Sequence, residues 1–333
     1  MSMPRRAGQV AIAAALWALR LVAVVLVIAT FNFVLVRAAP GDPAQVMAGQ
    51  SGASDPKILA DLRRDYGLDK PYVVQLATYL KRIVTLDFGY SYRQRRPVLT
   101  LIGERLPATL LLTIMAFVLA VLVGSSLGAA AGLVAGSVAD SLFTVLSLIL
   151  YATPVFWLGL MLVLLFSVTL GWLPAFGYET INAKLSPFDH AMDVLKHLIL
   201  PASSLAAIYL AIYARLMRSS IIEVAHQDFI KTARAKGLSG TRIVFRHMLR
   251  NALVPVVTVA GMQAGALIGG AVVVETVFAW PGLGRLTYDA VLQRDYPVLL
   301  GIFLILSVIV ILFNMLTDLI YRLIDPRMSA QAA

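Results

Sequence analysis

Long apolar runs broken by short polar interruptions dominate this chain. Six of them are long enough to cross about 30 Å of hydrocarbon as helices, at roughly Ala11 to Val36, Pro107 to Leu133, Leu142 to Leu170, Leu198 to Leu216, Ala252 to Val274 and Val298 to Leu319. The predicted fold is all-α, an integral membrane protein with six transmembrane helices. Arg5 and Arg6 precede the first run, which ends near Ala38-Ala39 as a secretory signal would. It is too long for a cleaved h-region, so a retained helix is expected. Arg20 lies inside it, and either snorkels to the N-terminal interface or marks a charged pathway.

Small residues and prolines subdivide these runs. Gly124, Gly128, Gly132 and Gly136 recur at every fourth position, as do Gly261, Gly265 and Gly269. That spacing lets helix backbones approach closely, within the chain or against another subunit. Pro154, Pro201 and Pro255 fall in spans three, four and five, where protein or a water-lined cavity must satisfy the freed carbonyls. Those three spans are the better candidates for lining a pathway.

Charge sets the orientation. Between Arg215 and Arg250 stand eight basic residues, at 215, 218, 231, 234, 236, 242, 246 and 250, against only Glu223 and Asp228. The positive-inside rule assigns this connection to the cytoplasm, and with six spans both termini follow it there. The connection 38–106 is then an extracytoplasmic extension; it is also net basic, but loops of such length cross regardless of charge. The expected divisions are 1–37 (tail and first span), 38–106 (extracytoplasmic region) and 107–333 (five-span core), with a cytoplasmic loop at 217–250.

Composition narrows the function. The 333 residues are 59% hydrophobic and 14% charged, with mean hydropathy +0.83. The net charge of +10 belongs to the loops of a membrane protein, so no nucleic-acid partner is expected. Absence of cysteine excludes disulfides and thiolate ligands. His190, His197, His226 and His247 form no metal-ligand pattern. The interiors of spans two to five hold no Asp, Glu, Lys, Arg or His, and the sixth meets only Asp318, whereas secondary transporters need such groups at membrane depth. Active transport would therefore draw its energy from another subunit. The chain cannot hydrolyse a nucleotide through a P-loop, because no Gly-Lys pair occurs.

The basic stretch has a shape of its own. Ile221, Ala225, Phe229 and Ala233 fall four apart, joined by Ile222 and Ile230, which predicts an apolar helical stripe. Lys231, Arg234 and Lys236 gather in its last turns, where cations complement the helix dipole. Gly237 suits a left-handed cap, and Ser239 or Thr241 can open a second helix through Val244, Met248 and Ala252. A helix, glycine turn and helix standing off the membrane could dock a partner or lie on anionic lipid; both readings are open on physical grounds. Further on, Pro281-Gly-Leu-Gly284 reads as a tight turn, and Trp172 and Trp280 as interfacial anchors.

Asp228-Phe-Ile-Lys-Thr-Ala-Arg-Ala-Lys-Gly-Leu and His247-Met-Leu-Arg-Asn-Ala-Leu-Val-Pro resemble the cytoplasmic EAA loop of ABC importer permeases, in the form of the dipeptide, oligopeptide and nickel permease family. Of the broad pattern E-A-A-x-x-x-G, only Ala233 and Gly237 match. Ala39-Pro-Gly-Asp-Pro43, Tyr66-Gly-Leu-Asp-Lys-Pro71, Asp87-Phe-Gly-Tyr-Ser91, Glu275-Thr-Val-Phe-Ala-Trp-Pro-Gly-Leu-Gly-Arg285, Arg294-Asp-Tyr-Pro297 and Asp325-Pro-Arg327 are similar to further motifs of that family in the same order. The long first external loop and Pro-Gly-Asp-Pro resemble the first, B-type permease.

The resemblance implies a type I ABC importer permease fold and no catalytic residue or cofactor on this chain, ATP and Mg being used by partners. It implies ATPase coupling through Asp228, Phe229, Thr232, Ala233, Arg234, Ala235 and Gly237. Implied partners are a second homologous permease, two ATP-binding subunits and an extracytoplasmic solute-binding protein, in a bacterial or archaeal cytoplasmic membrane. Di- or oligopeptides are the expected solutes, with nickel or glutathione as alternatives within the family, and a passive channel or membrane scaffold as the alternative of another class.

Overall fold

The computed structural model describes residues 22–35, 55–65, 69–91, 93–263 and 265–324, together with Leu19, Ala44 and Gly67. Packing divides the chain into two units, one of 1–106 with 286–312 and the other of 107–285 with 313–333. Arg5, Arg6, Arg20, the Pro-Gly-Asp-Pro segment and Asp325-Pro-Arg327 lie outside the described residues.

In the first unit, α1 (Val22–Leu35), α2 (Pro56–Asp65) and α3 (Tyr72–Val84) precede a hairpin of β1 (Tyr90–Ser91) and β2 (Arg96–Pro97). Ala29, Ile83 and Leu304 form a small core, flanked by Val25, Tyr79, Leu80 and Phe88. Ser91 Oγ donates 2.5 Å to the buried Asp295 carboxylate, tying the hairpin to the segment before the last helix.

The second unit is built around α7 (Pro187–Ala225), the most buried of the long helices. Ser186 caps it by accepting from Asp189 N at 3.2 Å, and Pro187 takes the first helical position, where its missing N–H costs nothing. Against it lies α4 (Val98–Leu133), whose first turns belong to the other unit. A Cβ on Gly124 would stand 2.7 Å from Leu210 O, one on Gly128 would overlap the Ala214 carbonyl, and one on Gly132 would stand 2.9 Å from Arg218 O. Gly124, Gly128 and Gly132 therefore pack within the chain, whereas a Cβ on Gly136 would meet nothing within 4 Å. Lipid supplies no hydrophobic drive between helices, so this backbone approach is what van der Waals cohesion rests on. Gly269, in the fifth-span series, faces open space.

The third predicted span is not straight. Helices α5 (Val138–Ala152) and α6 (Val155–Thr169) meet at 107°, because Pro154 forces Thr153 out of the helical region to ψ 127°. The fifth is divided between α9 (Gly240–Gln263) and α10 (Ala266–Val277), and α9 begins twelve residues before the predicted Ala252. A π-helical turn at Val244–Met248 inserts an extra residue, which brings Ile243 and Met248, five apart, onto the buried face. Helix α11 (Leu283–Gln293) and helix α12 (Tyr296–Ile324) complete the chain. Among the described residues, α4, α7, α9 and Tyr296–Met315 are long and apolar enough to cross a membrane, and the bent α5–α6 pair makes a fifth if it is one span.

Candidate functional site

The basic stretch folds into a surface segment of the second unit. The predicted stripe from Ile221 to Ala233 does not run through one helix. Helix α7 ends at Ala225, Gln227 is extended at ψ 150°, and a separate helix α8 (Asp228–Ala235) follows. The break resets the register. Ile230 and Ala233 turn inward and are buried, while Phe229 leaves the stripe and is 39% exposed.

The end of α8 is built as the sequence requires. Gly237 adopts φ +74°, Gly237 N donates to Arg234 O at 2.9 Å and Leu238 N to Ala233 O at 3.3 Å. These two bonds make a Schellman closure, for which a residue with φ above zero is needed and glycine is cheapest. Ser239 then opens α9 from an extended conformation, its carbonyl accepting from Ile243 N at 3.0 Å.

Of the predicted coupling residues, Asp228, Phe229, Thr232, Arg234, Ala235 and Gly237 are exposed and Ala233 is not. Ala233 is buried in the core cluster that also holds Ile243 and Met248. Asp228 is engaged locally, with Lys231 Nζ at 2.8 Å and Thr232 Oγ1 donating to its carbonyl at 3.0 Å. Sequence reading passed over Phe245, which is 69% exposed on α9. Its signal was an aromatic set between Arg242 and Arg246.

Ten residues before α8, Arg218 reaches the corner between α4 and α5. Its Nε and Nη2 donate to Asp140 Oδ1 and Oδ2 at 2.5 and 2.7 Å, and Gly136 N donates to the same carboxylate at 2.9 Å. Asp140 is buried in this setting.

A second polar site lies at the other end of α4. Thr109 and Gly132 are separated by 23 residues of helix, roughly 35 Å at 1.5 Å per residue. Glu275 sits just beyond the predicted fifth span, yet it is fully buried. Thr109 Oγ1 donates to Glu275 Oε1 at 2.6 Å and Arg285 N to Oε2 at 3.0 Å, while Leu283 N donates to Thr109 Oγ1 at 2.7 Å. Gly282 and Gly284 leave the space the carboxylate needs; a Cβ on Gly282 would overlap it, and one on Gly284 would come 2.9 Å from Oε2. The Pro-Gly-Leu-Gly turn is thus a cradle for a buried carboxylate. Trp280 is not an interfacial anchor: it is fully buried, donates Nε1–H to Ala108 O at 2.9 Å and packs on Tyr178 at 4.8 Å. A tryptophan beside a proline turn looks interfacial in sequence, but here its N–H has found a backbone carbonyl. Trp172 is exposed.

Among the described residues no group of three His, Cys, Asp or Glu side chains could hold a metal ion. Several helices long and apolar enough to cross a bilayer define the class, a multi-pass membrane protein. The chain belongs to the family described as "binding-protein-dependent transport system inner membrane component", whose model matches residues 120–330; the family's N-terminal component matches 17–113. It is 39% identical to the dipeptide transport system permease protein DppB of Alkalihalophilus pseudofirmus, over 93% of this chain and 96% of that one. It is 42% identical to the oligopeptide transport system permease protein AppB of Bacillus subtilis, over 91% and 95%. A solved structure of the MetNI methionine ABC transporter, inward facing, shares the fold at TM-score 0.54 and 19% identity, covering 68% of this chain and 97% of that one. The chain is therefore a non-catalytic, multi-pass inner-membrane permease subunit of an ABC importer with the type I fold, a family that works with ATPase and substrate-binding partners.

Proposed function

We propose that this chain is the first, B-type permease of a peptide importer, carrying di- or oligopeptides inward. The observation that carries the reading is that relatives named as dipeptide and oligopeptide permeases match it across more than nine-tenths of its length. The chemistry agrees: peptides differ in side-chain charge, and spans with uncharged interiors impose no fixed partner on them.

In this reading six spans, with both termini in the cytoplasm, pair with a second homologous permease. Two ATP-binding subunits bind Mg and ATP, an extracytoplasmic binding protein delivers the peptide, and α8 is the coupling helix. Phe229 is its anchor in the ATPase groove; Asp228, Thr232, Arg234 and Ala235 surround that anchor, Ala233 seats the helix and Gly237 ends it. Excess Lys and Arg on this side supports the cytoplasmic assignment.

The test is uptake into proteoliposomes holding the full complex, loaded with ATP and supplied with the cognate binding protein. A labelled dipeptide and a labelled tetrapeptide are compared with Ni²⁺ and glutathione. ATP-dependent accumulation of peptide is expected; uptake of only Ni²⁺ or glutathione, or peptide flux without ATP, would refute it.

A further inference from the structure

Helix α8 is joined to α7 through only His226 and Gln227, and to α9 beyond Gly237, so a pull on α8 reaches the end of α7. What α7 holds there decides where that pull goes. Two arginines on one turn of α7 grip α5. Arg218 binds Asp140 in the first turn of α5 through the paired hydrogen bonds above. The Arg215 guanidinium lies 4.8 Å over the Tyr151 ring, two residues before the bend at Thr153-Pro154.

The corner that Arg218 meets is itself closed. Gly136 has φ +84° and gives its N–H to Asp140, Ser137 Oγ accepts from Asp140 N at 3.2 Å, and Ser137 N donates to Val134 O at 3.1 Å. One turn back, Gly132 lies against Arg218 and Ile221 so closely that no side chain fits between. A bidentate charge-assisted pair fixes direction as well as distance, which a single contact does not.

We infer that Asp140 and Arg218 are positioning residues for transport: their bridge makes α7, the α4–α5 corner and α5 move together with α8, delivering the coupling motion to the bent α5–α6 span. This rests on the import reading. A helix pair held only by lipid-facing side chains could slide, whereas a fork between carboxylate and guanidinium transmits pull and push alike.

The experiment uses the full reconstituted complex and reads peptide moved per ATP hydrolysed. Asp140→Asn should keep the ATPase bound and hydrolysing while that ratio falls at least tenfold. Arg218→Lys, which keeps the charge and loses the fork, should fall between. Because the chain contains no cysteine, Asp140→Cys with Arg218→Cys can be joined by a short bis-methanethiosulfonate reagent. The joined protein should recover at least half of the ratio that the unjoined one lacks. An unchanged ratio in Asp140→Asn, equal loss of hydrolysis and uptake, or a low ratio after joining would each overturn the inference. The unsubstituted complex reports separately on the import reading, through whether it moves peptide at all.

Discussion

Gly128 and Gly269 look alike in sequence, each in a four-residue glycine series within an apolar span, and their surroundings are opposite. A Cβ on Gly128 would meet the Ala214 backbone, which cannot swing aside, while one on Gly269 meets nothing within 4 Å. Gly128→Val should cost at least ~2 kcal/mol of stability. Gly269→Ala should be neutral or gain up to ~1 kcal/mol from helix propensity. Thermal unfolding of the two variants in detergent decides this, and equal loss in both would contradict the packing described. Caps give a matching contrast. Helix α10 closes as α8 does, with Ala279 N donating to Thr276 O and Trp280 N to Glu275 O, but the left-handed residue is Ala279 at φ +51° rather than a glycine. Ala279→Gly should therefore relieve roughly 1 kcal/mol of strain, and Gly237→Ala should add a similar amount, with no steric neighbour to complicate it. Gly237 was legible in the sequence because glycine follows a basic helical turn there. The Ala279 cap was hidden, since nothing about alanine announces a positive φ.

At the scale of elements, the cradle around Glu275 joins α4, α10 and the start of α11. Thr109 both donates to Glu275 and accepts from Leu283 N, so Thr109→Val removes partners from two buried groups at once. A loss of about 1–3 kcal/mol is expected, with Thr109→Ser close to the parent; hydrogen exchange at 280–286 reads the loosening directly, and no change there would contradict the cradle. The hairpin β1–β2 has a different dependence. Burial pushes the Asp295 carboxyl above its ordinary range, opposed by the Ser91 hydrogen bond. A raised folded pKa means its stabilising contribution is full below the unfolded carboxylate pKa and is lost as pH rises through the folded value. Exchange at residues 90–97 should then quicken as pH climbs through that window, after correction for intrinsic rates, and Asp295→Asn should abolish the trend; a parent hairpin indifferent to pH would contradict the assignment. Hydropathy located α4 and most of the fifth span, but gave no sign of the hairpin or of α11. It stopped the fifth span at Val274 because a carboxylate normally marks water, and could not foresee the donors that Thr109 and Arg285 bring from afar.

For the whole molecule, the readable parts were those governed by local chemistry: apolar runs, the uncharged interiors of spans two to five, and the Lys and Arg excess. The bend at Pro154 was marked by its proline but its 107° angle was not, since the angle depends on how α5 and α6 pack. Within the segment 217–250, the residue types were legible and their facing was not: two non-helical residues after Ala225 turned Phe229 outward and Ala233 inward. This outward Phe229 is the point on which the account of a partner-driven permease rests. An aromatic anchor leaving a groove costs ~2 kcal/mol or more, about thirty-fold in affinity. The most direct measurement is co-purification of the ATPase subunits with Phe229→Asp permease that still inserts in the membrane, beside Gly237→Val. The account predicts that ATPase recovery and ATP-dependent uptake fall together in both variants; ATPase recovery equal to the parent in both would contradict it.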